Sequence, residues 1–343
     1  MALSTALQKS LQRFMAPIGP LITDGAVSEI LINGYREIWV ERDGVLFRSD
    51  CAFPTPSALD AMLVNIAQCC GKDFDQKHPI LETRLPDGSR LEAVMPPLAQ
   101  NGPTVSIRRF SKTRLTINQL VERKTLSAEA AFYLAKAVGR KANLVISGGT
   151  GSGKSSLLQA VAGFFDARER IVVLEDTHEI EINRPHVVYL QSRASTVNVA
   201  QNVGIRELLR ATLRLRPDRI IVGEIRGAEA LDMIQAITSG HGGSMTTVHA
   251  NSPVDALARI ETMALMAQEE MPLHALRSQI ASAVNFVVQI ERSRDGRRRV
   301  TEVVAVSRKL KDGNFVFRRI FAEDAQGVLV RRSALAKPQG GST

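Results

Sequence analysis

Eight consecutive residues, Gly148-Gly149-Thr150-Gly151-Ser152-Gly153-Lys154-Ser155, match G-x-x-x-x-G-K-[ST] without departure. Such a run is suited to holding a polyphosphate. Glycines admit backbone conformations that a Cβ resists, so several N–H groups turn toward one anion. The helix that follows adds the positive end of its dipole. Lys154 is expected to reach the β- and γ-phosphates and the Ser155 hydroxyl to ligate Mg²⁺, with Ser156 counted among the nucleotide contacts. The competing reading, a glycine-rich turn without a ligand, fits the context poorly. Asn143–Ser147 reads as a buried strand just before the run, and Ser156–Ala162 as a helix just after it. The sequence therefore predicts a nucleoside-triphosphate site.

Other chemistry-bearing residues fall at the carboxyl ends of predicted strands, where open α/β sheets bind ligands: Ser147, Glu175, Glu224 and His249. Arg219–Glu224 reads as a strand ending in a Walker B carboxylate. Glu224 there can hold Mg²⁺ through water or polarise the attacking water. Glu175, with Asp176 and Glu179, is suited to magnesium-water ligation and orientation of the nucleophile. A helix N-cap by Asp176 with surface carboxylates is the alternative. His241 and His249 flank a Gly-Gly-Ser segment and are read together as a γ-phosphate sensor, against separate structural roles. Phosphoryl transfer also needs positive charge on the γ-phosphate. Lys154 supplies one charge, while Arg193, Arg206, Arg210, Arg214, Arg216 and Arg226 are read mostly as helix-surface or ion-pair residues. Arg90, Arg108 and Arg109 lie on adjacent predicted strands earlier in the chain, and close the site if that region folds over the nucleotide.

These residues need a scaffold, and the hydrophobic periodicity supplies one. Residues 3–15 have helical spacing, for packing on their own domain or for docking on a membrane or partner. Glu29–Asn33, Glu37–Glu41 and Val45–Phe47 read as strands, Pro56–Gly71 as a helix, Leu81–Leu85 and Arg90–Met95 as a hairpin, and Thr104–Phe110 as a last strand. Residues 1–110 are thus expected to form an α+β domain and 111–122 a partly ordered linker. From Ser127 strands and helices alternate, as in a parallel sheet covered on both faces. Phe286–Glu291, Arg299–Ser307 and Asn314–Ile320 follow as an antiparallel meander. Residues 123–322 form the expected nucleotide-binding domain and 323–343 a disordered tail.

Composition sets the outer limits. The 343 residues are 44% hydrophobic and 23% charged, enough for two ordinary cores. The net charge of +9, with a pI near 9.8, admits nucleic acid, anionic lipid or an acidic partner without choosing among them. Aromatic residues at 5% give no base-stacking row, so nucleic acid is not favoured. Cys51, Cys69 and Cys70 include no C-x-x-C, which argues against a disulfide framework or a zinc site and fits a reducing cytoplasm. No apolar run reaches the roughly 18 residues of a membrane span, so any membrane contact is read as peripheral.

Four segments in fixed order resemble the secretion ATPase superfamily, which includes the motors of type II secretion, type IV pili, type IV secretion and Tad/Flp pili. They are Gly148–Ser155, the Asp-box segment Glu175-Asp176-Thr177-His178-Glu179, the Walker B segment Arg216–Gly227 and the His-box segment Gly240–Ala250. The likeness extends into the first domain through Ile32-Asn33-Gly34, Leu85–Arg90 and Val105–Arg109. Arg216–Glu224 and the Gly-Gly-Ser within the His box look most like the Tad/Flp pilus and type IV secretion branch. The resemblance implies an α/β protein with a C-terminal RecA-like P-loop domain, preceded by a smaller α+β, PAS-like domain. It implies a homohexamer using ATP and Mg²⁺, with nucleotide between the two domains, at the cytoplasmic face of the inner membrane and engaged with a membrane platform protein. Lys154, Ser155, Glu175 and Glu224 would carry hydrolysis, His249 would sense its progress, and Arg90 and Arg108 would close over the phosphates, with Arg109 as a further candidate. The resulting expectation is a motor for Tad/Flp pilus assembly or protein secretion. A type IV secretion or conjugation ATPase, a nucleic-acid translocase on the same core, and a nucleotide-gated assembly factor without turnover are the alternatives.

Overall fold

Alternating apolar residues build the first sheet. Ile30, Ile32, Ile38, Val40, Leu91, Ala93, Val105 and Ile107 are all buried, and each is separated by one residue from its like-facing neighbour. The computed structural model describes residues 5–42, 44–109, 115–193, 202–293 and 295–332, with the side chains of 5–8 also left aside. The chain divides into two compact units, Met1–Thr113 and Arg114–Thr343.

In the first unit, α1 (Thr5–Phe14) and α2 (Gly19–Thr23) precede β1 (Val27–Asn33), β2 (Glu37–Arg42) and β3 (Val45–Arg48). Helix α3 (Pro56–Cys69) leads to β4 (Ile80–Arg84), β5 (Arg90–Val94) and β6 (Thr104–Arg108). The six strands form one antiparallel sheet in the order β3-β2-β1-β6-β5-β4. Thr55 caps α3 through its side chain, and Gly71, at φ +66°, follows its end. Leu11 and Met15 of the N-terminal segment join Leu59, Leu63 and Ile66 of α3 in the core. This is the own-domain packing open to residues 3–15; Leu3 and the Leu7 side chain lie outside the described residues. Each large apolar side chain so buried is worth about 1.5–3 kcal/mol.

The second unit opens with α4 (Ile117–Glu122) and α5 (Ala128–Gly139). Then come β7 (Leu144–Gly148), α6 (Lys154–Ala162), β8 (Ile171–Glu175), β9 (Val187–Gln191), α7 (Ile205–Thr212), β10 (Arg219–Val222), α8 (Glu229–Thr238) and β11 (Met245–His249). Helices α9 (Pro253–Leu265) and α10 (Leu273–Ala283) lead to β12 (Phe286–Arg292), β13 (Arg298–Val306), β14 (Phe317–Glu323) and β15 (Leu329–Arg331). The nine strands are ordered β15-β14-β13-β12-β7-β11-β10-β8-β9. From β9 to β12 neighbours are parallel; from β12 to β15 they are antiparallel. Alternate residues of one strand face opposite layers. Ile146 and Ile221 pack with α4, α5 and α6, whereas Val145, Ile220 and Val222 pack with α7 to α10.

Two expectations need correction. The segment read as a linker contains α4, closed by a Thr116–Gln119 capping box, and its Leu120 is buried in the second unit's core. Leu329–Arg331, expected in the tail, forms β15; residues 333–343 lie outside the described residues. Strands β12, β13 and β14 run antiparallel as a meander, and β12 also pairs in parallel with the P-loop strand β7.

Candidate active site

Strand β7 delivers the loop. Its last residue, Gly148, pairs with His249 at the end of β11, so the phosphate loop and the His-box histidine emerge side by side. Glycine at 148 is set by space, since a Cβ there would meet the Ile290 carbonyl oxygen and stand 2.6 Å from Ser152 Oγ. Gly151 and Gly153 are set by conformation, at φ +68° and +97°. Gly149 is constrained by neither, with open space around its Cα. Gly148→Ala is therefore expected to weaken binding of a labelled nucleotide at least tenfold while Gly149→Ala stays within about threefold, because only the former displaces the loop. Thr150 lies on the exposed part of the loop, and Ser155 and Ser156 in the first turn of α6. The Ser152 hydroxyl is buried with no hydrogen-bond partner among the described residues.

Lys154 is buried and held from several sides. Its Nζ donates to the carbonyls of Gly148 at 3.0 Å and Gly149 at 2.8 Å, and lies 3.3 Å from His249 Nδ1. An ammonium can only donate, so Nδ1 accepts and the ring proton sits on Nε2. That nitrogen faces Glu224 Oε1 at 2.9 Å, and Arg226 donates to the other oxygen, Oε2, at 2.7 Å. Lys154, His249, Glu224 and Arg226 thus form one continuous polar chain across the carboxyl edge of the sheet. The Glu224 carboxylate in turn raises the Arg226 pKa above its already high value.

Burial holds the His249 pKa below 6.5, with Lys154 acting in the same direction and Glu224 against it. The unfolded chain therefore takes up this proton first. The stability of the neutral-ring form is complete above pH 6.5 and declines as the pH falls below it. An imidazole NMR titration is expected to place the His249 midpoint below 6.5; a midpoint above it contradicts the geometry.

Glu175 ends β8, buried against Gly223, where a Cβ would stand 2.8 Å from its Cγ. Its Oε1 accepts from the backbone N–H groups of Glu179 and Ile180, each at 3.0 Å, and Oε2 lies 3.3 Å from His178 Nδ1. Glu175 thus organises the loop after β8. Asp176 caps no helix; its Oδ1 accepts from the Ser192 hydroxyl.

The structure separates the two histidines. His241 lies before β11, at the edge opposite the P-loop, with Nδ1 3.2 Å from the Ala236 carbonyl at the end of α8. It is a helix-end residue, and only His249 reaches the phosphate edge. Arg206 and Arg210 both pair with Asp232, as expected of ion-pair residues, whereas Arg226 proves to be the partner of Glu224. In the first unit Arg90 and Arg108 are direct cross-strand partners, and Arg90 lies 3.7 Å from Glu82. Arg109 instead donates to the Asp24 carbonyl, a backbone tie.

Sequence reasoning missed the buried supports. Ser147 donates to Gln289 of β12 at 2.5 Å, and Gln289 donates to the Ala250 carbonyl at 3.4 Å, joining the strand before the P-loop to the residue after His249. The Asn143 carboxamide accepts from the N–H groups of Gly243 and Ser244 at 2.6 and 3.1 Å. The signal available was an uncharged polar residue within an apolar strand pattern, which does not name its partner.

A parallel sheet covered on both faces, a glycine loop on a strand-to-helix turn, and carboxylates and a histidine on neighbouring strand ends define a RecA-like P-loop ATPase. The chain belongs to the type II/IV secretion system protein family, whose model matches residues 12–313. It is 35% identical over 293 residues to a putative conjugal transfer protein of Mycobacterium tuberculosis, covering 84% of this chain and 83% of the relative. Identity to the conjugal transfer protein TrbB of Rhizobium radiobacter is 36% over 289 residues, covering 83% and 85%. The fold is like that of the Legionella pneumophila ATPase DotB, with a TM-score of 0.61 at 21% identity, over 85% of this chain and 80% of that one.

Proposed function

We propose that the chain hydrolyses ATP to drive a type IV secretion machine of the conjugal-transfer kind. The observation that carries the catalytic reading is the Lys154–His249–Glu224–Arg226 chain at the phosphate edge. Lys154 binds the β- and γ-phosphates; Glu224 orients and accepts a proton from the attacking water; His249 bridges the two through its ring nitrogens. The glycine cradle suits the phosphates, and the Ser155 hydroxyl in the first turn of α6 and, through water, Glu175 would hold Mg²⁺ carried in with the nucleotide. Mg²⁺ supplies charge neutralisation on the phosphate oxygens. The names of the relatives favour conjugal transfer over Tad/Flp pilus assembly.

The working form in this reading is a homohexamer seated on an inner-membrane platform protein at the cytoplasmic face. Among the described residues no helix is long and apolar enough to cross a membrane, which fits peripheral attachment. Complementation of a deletion strain tests the assignment. Wild type is expected to restore DNA transfer and Lys154→Ala to fail at equal expression. Restoration of surface pili without DNA transfer would move the assignment to the pilus branch.

A further inference from the structure

The β12–β13 hairpin brings two arginines to the P-loop that have no place in the chemistry above. Arg292 ends β12, Arg298 begins β13, and they are direct cross-strand partners. The Arg298 Nε–H donates to the Gly151 carbonyl at 3.0 Å. A Cβ on Gly153 would stand 3.0 Å from Arg298 Cδ, and one on Gly151 would stand 3.2 Å from a terminal nitrogen of Arg292. The two positive-φ glycines therefore also open the surface on which both arginines lie.

Peptide geometry gives this contact a consequence. In a trans peptide the C=O and the following N–H point in opposite directions. An Arg298 that holds the Gly151 carbonyl therefore also sets the direction of the Ser152 N–H, which points across the loop to the Gly149 carbonyl at 3.4 Å. We propose that Arg298 is a positioning residue that fixes the Gly151–Ser152 peptide and with it the course of the P-loop, and that Arg292 beside it adds positive charge, so the hairpin raises affinity for nucleoside di- and triphosphates. The proposal rests on the P-loop being a nucleotide site.

The test uses the full chain, fluorescence titration with N-methylanthraniloyl-ADP, steady-state ATP hydrolysis and thermal melting. Arg298→Ala is expected to raise Kd and KM together by about tenfold, the loss of a hydrogen bond from a charged donor, with kcat changed less. Arg298→Lys recovers only part of the affinity, because an ammonium lacks the planar fork. Arg292→Ala gives a smaller loss that fades with added salt. Kd for Arg298→Ala within twofold of wild type overturns the proposal. So does full recovery by Arg298→Lys of both affinity and melting temperature, which would make the role one of charge and stability alone. Should Arg298→Ala fail to fold, Arg298→Lys decides by the same readings. Lys154→Ala separates the levels: if wild type itself binds no probe, or Lys154→Ala binds as well as wild type, the nucleotide-site reading falls and the proposal with it.

Discussion

Glu224→Gln is expected to slow ATP hydrolysis by roughly 10²–10⁴-fold while nucleotide binding stays close to wild type. The carboxylate holds two donors, His249 on one oxygen and Arg226 on the other. Glutamine keeps the shape but loses the charge and brings an NH₂ that must face one of those donors. A water at this position then loses its proton acceptor. Nucleotide contacts made by the P-loop are untouched, so the loss falls on kcat rather than on affinity. Single-turnover hydrolysis with a parallel binding titration separates the two. Unchanged turnover would remove Glu224 from the chemistry and favour a nucleotide-gated assembly factor over a motor.

Arg219→Met is expected to destabilise the second unit by about 3–5 kcal/mol, the usual cost of removing one partner from a buried ion pair. Arg219 is 2% exposed. Its Nε donates to Glu169 at 2.9 Å, its terminal nitrogens to the carbonyls of Gly243 and Val138 at 3.3 and 3.0 Å, and its guanidinium lies 4.6 Å from the centre of the Phe165 ring. Methionine restores volume but removes all three hydrogen bonds, leaving Glu169 with the Asp166 N–H at 3.2 Å and Lys141 at 3.6 Å. At a few degrees per kcal/mol, the melting temperature should fall by roughly 10 °C. Arg219→Lys recovers part of this, because the charge returns without the fork. A melting temperature within about 2 °C of wild type would show that the group contributes little net stability.

The two variants mark how far the sequence could be read. The position of Glu224 was legible, because a short apolar run shows where its strand ends, beside the P-loop. Arg219, five residues earlier, looked like the first residue of the same strand, and nothing local indicated that it lies buried between Glu169 and Gly243. The period-2 and period-3.6 patterns gave the elements, since each buries one face. They could not place β12 beside β7, because a short apolar strand accepts either parallel or antiparallel neighbours. The hairpin arginines at the P-loop were missed for that reason. His241 was misjudged differently: it shares a motif with His249, but a strand runs between them, and a strand sends its two ends to opposite edges of the sheet.

Release of inorganic phosphate from ATP by the purified full chain, compared with Lys154→Ala, tests the central claim most directly. Wild type is expected to show steady Mg²⁺-dependent turnover, and a Lys154→Ala protein that melts like wild type a loss of at least 100-fold, since that ammonium is the loop's own charge on the β- and γ-phosphates. Equal turnover by the two proteins would place hydrolysis elsewhere and contradict the account.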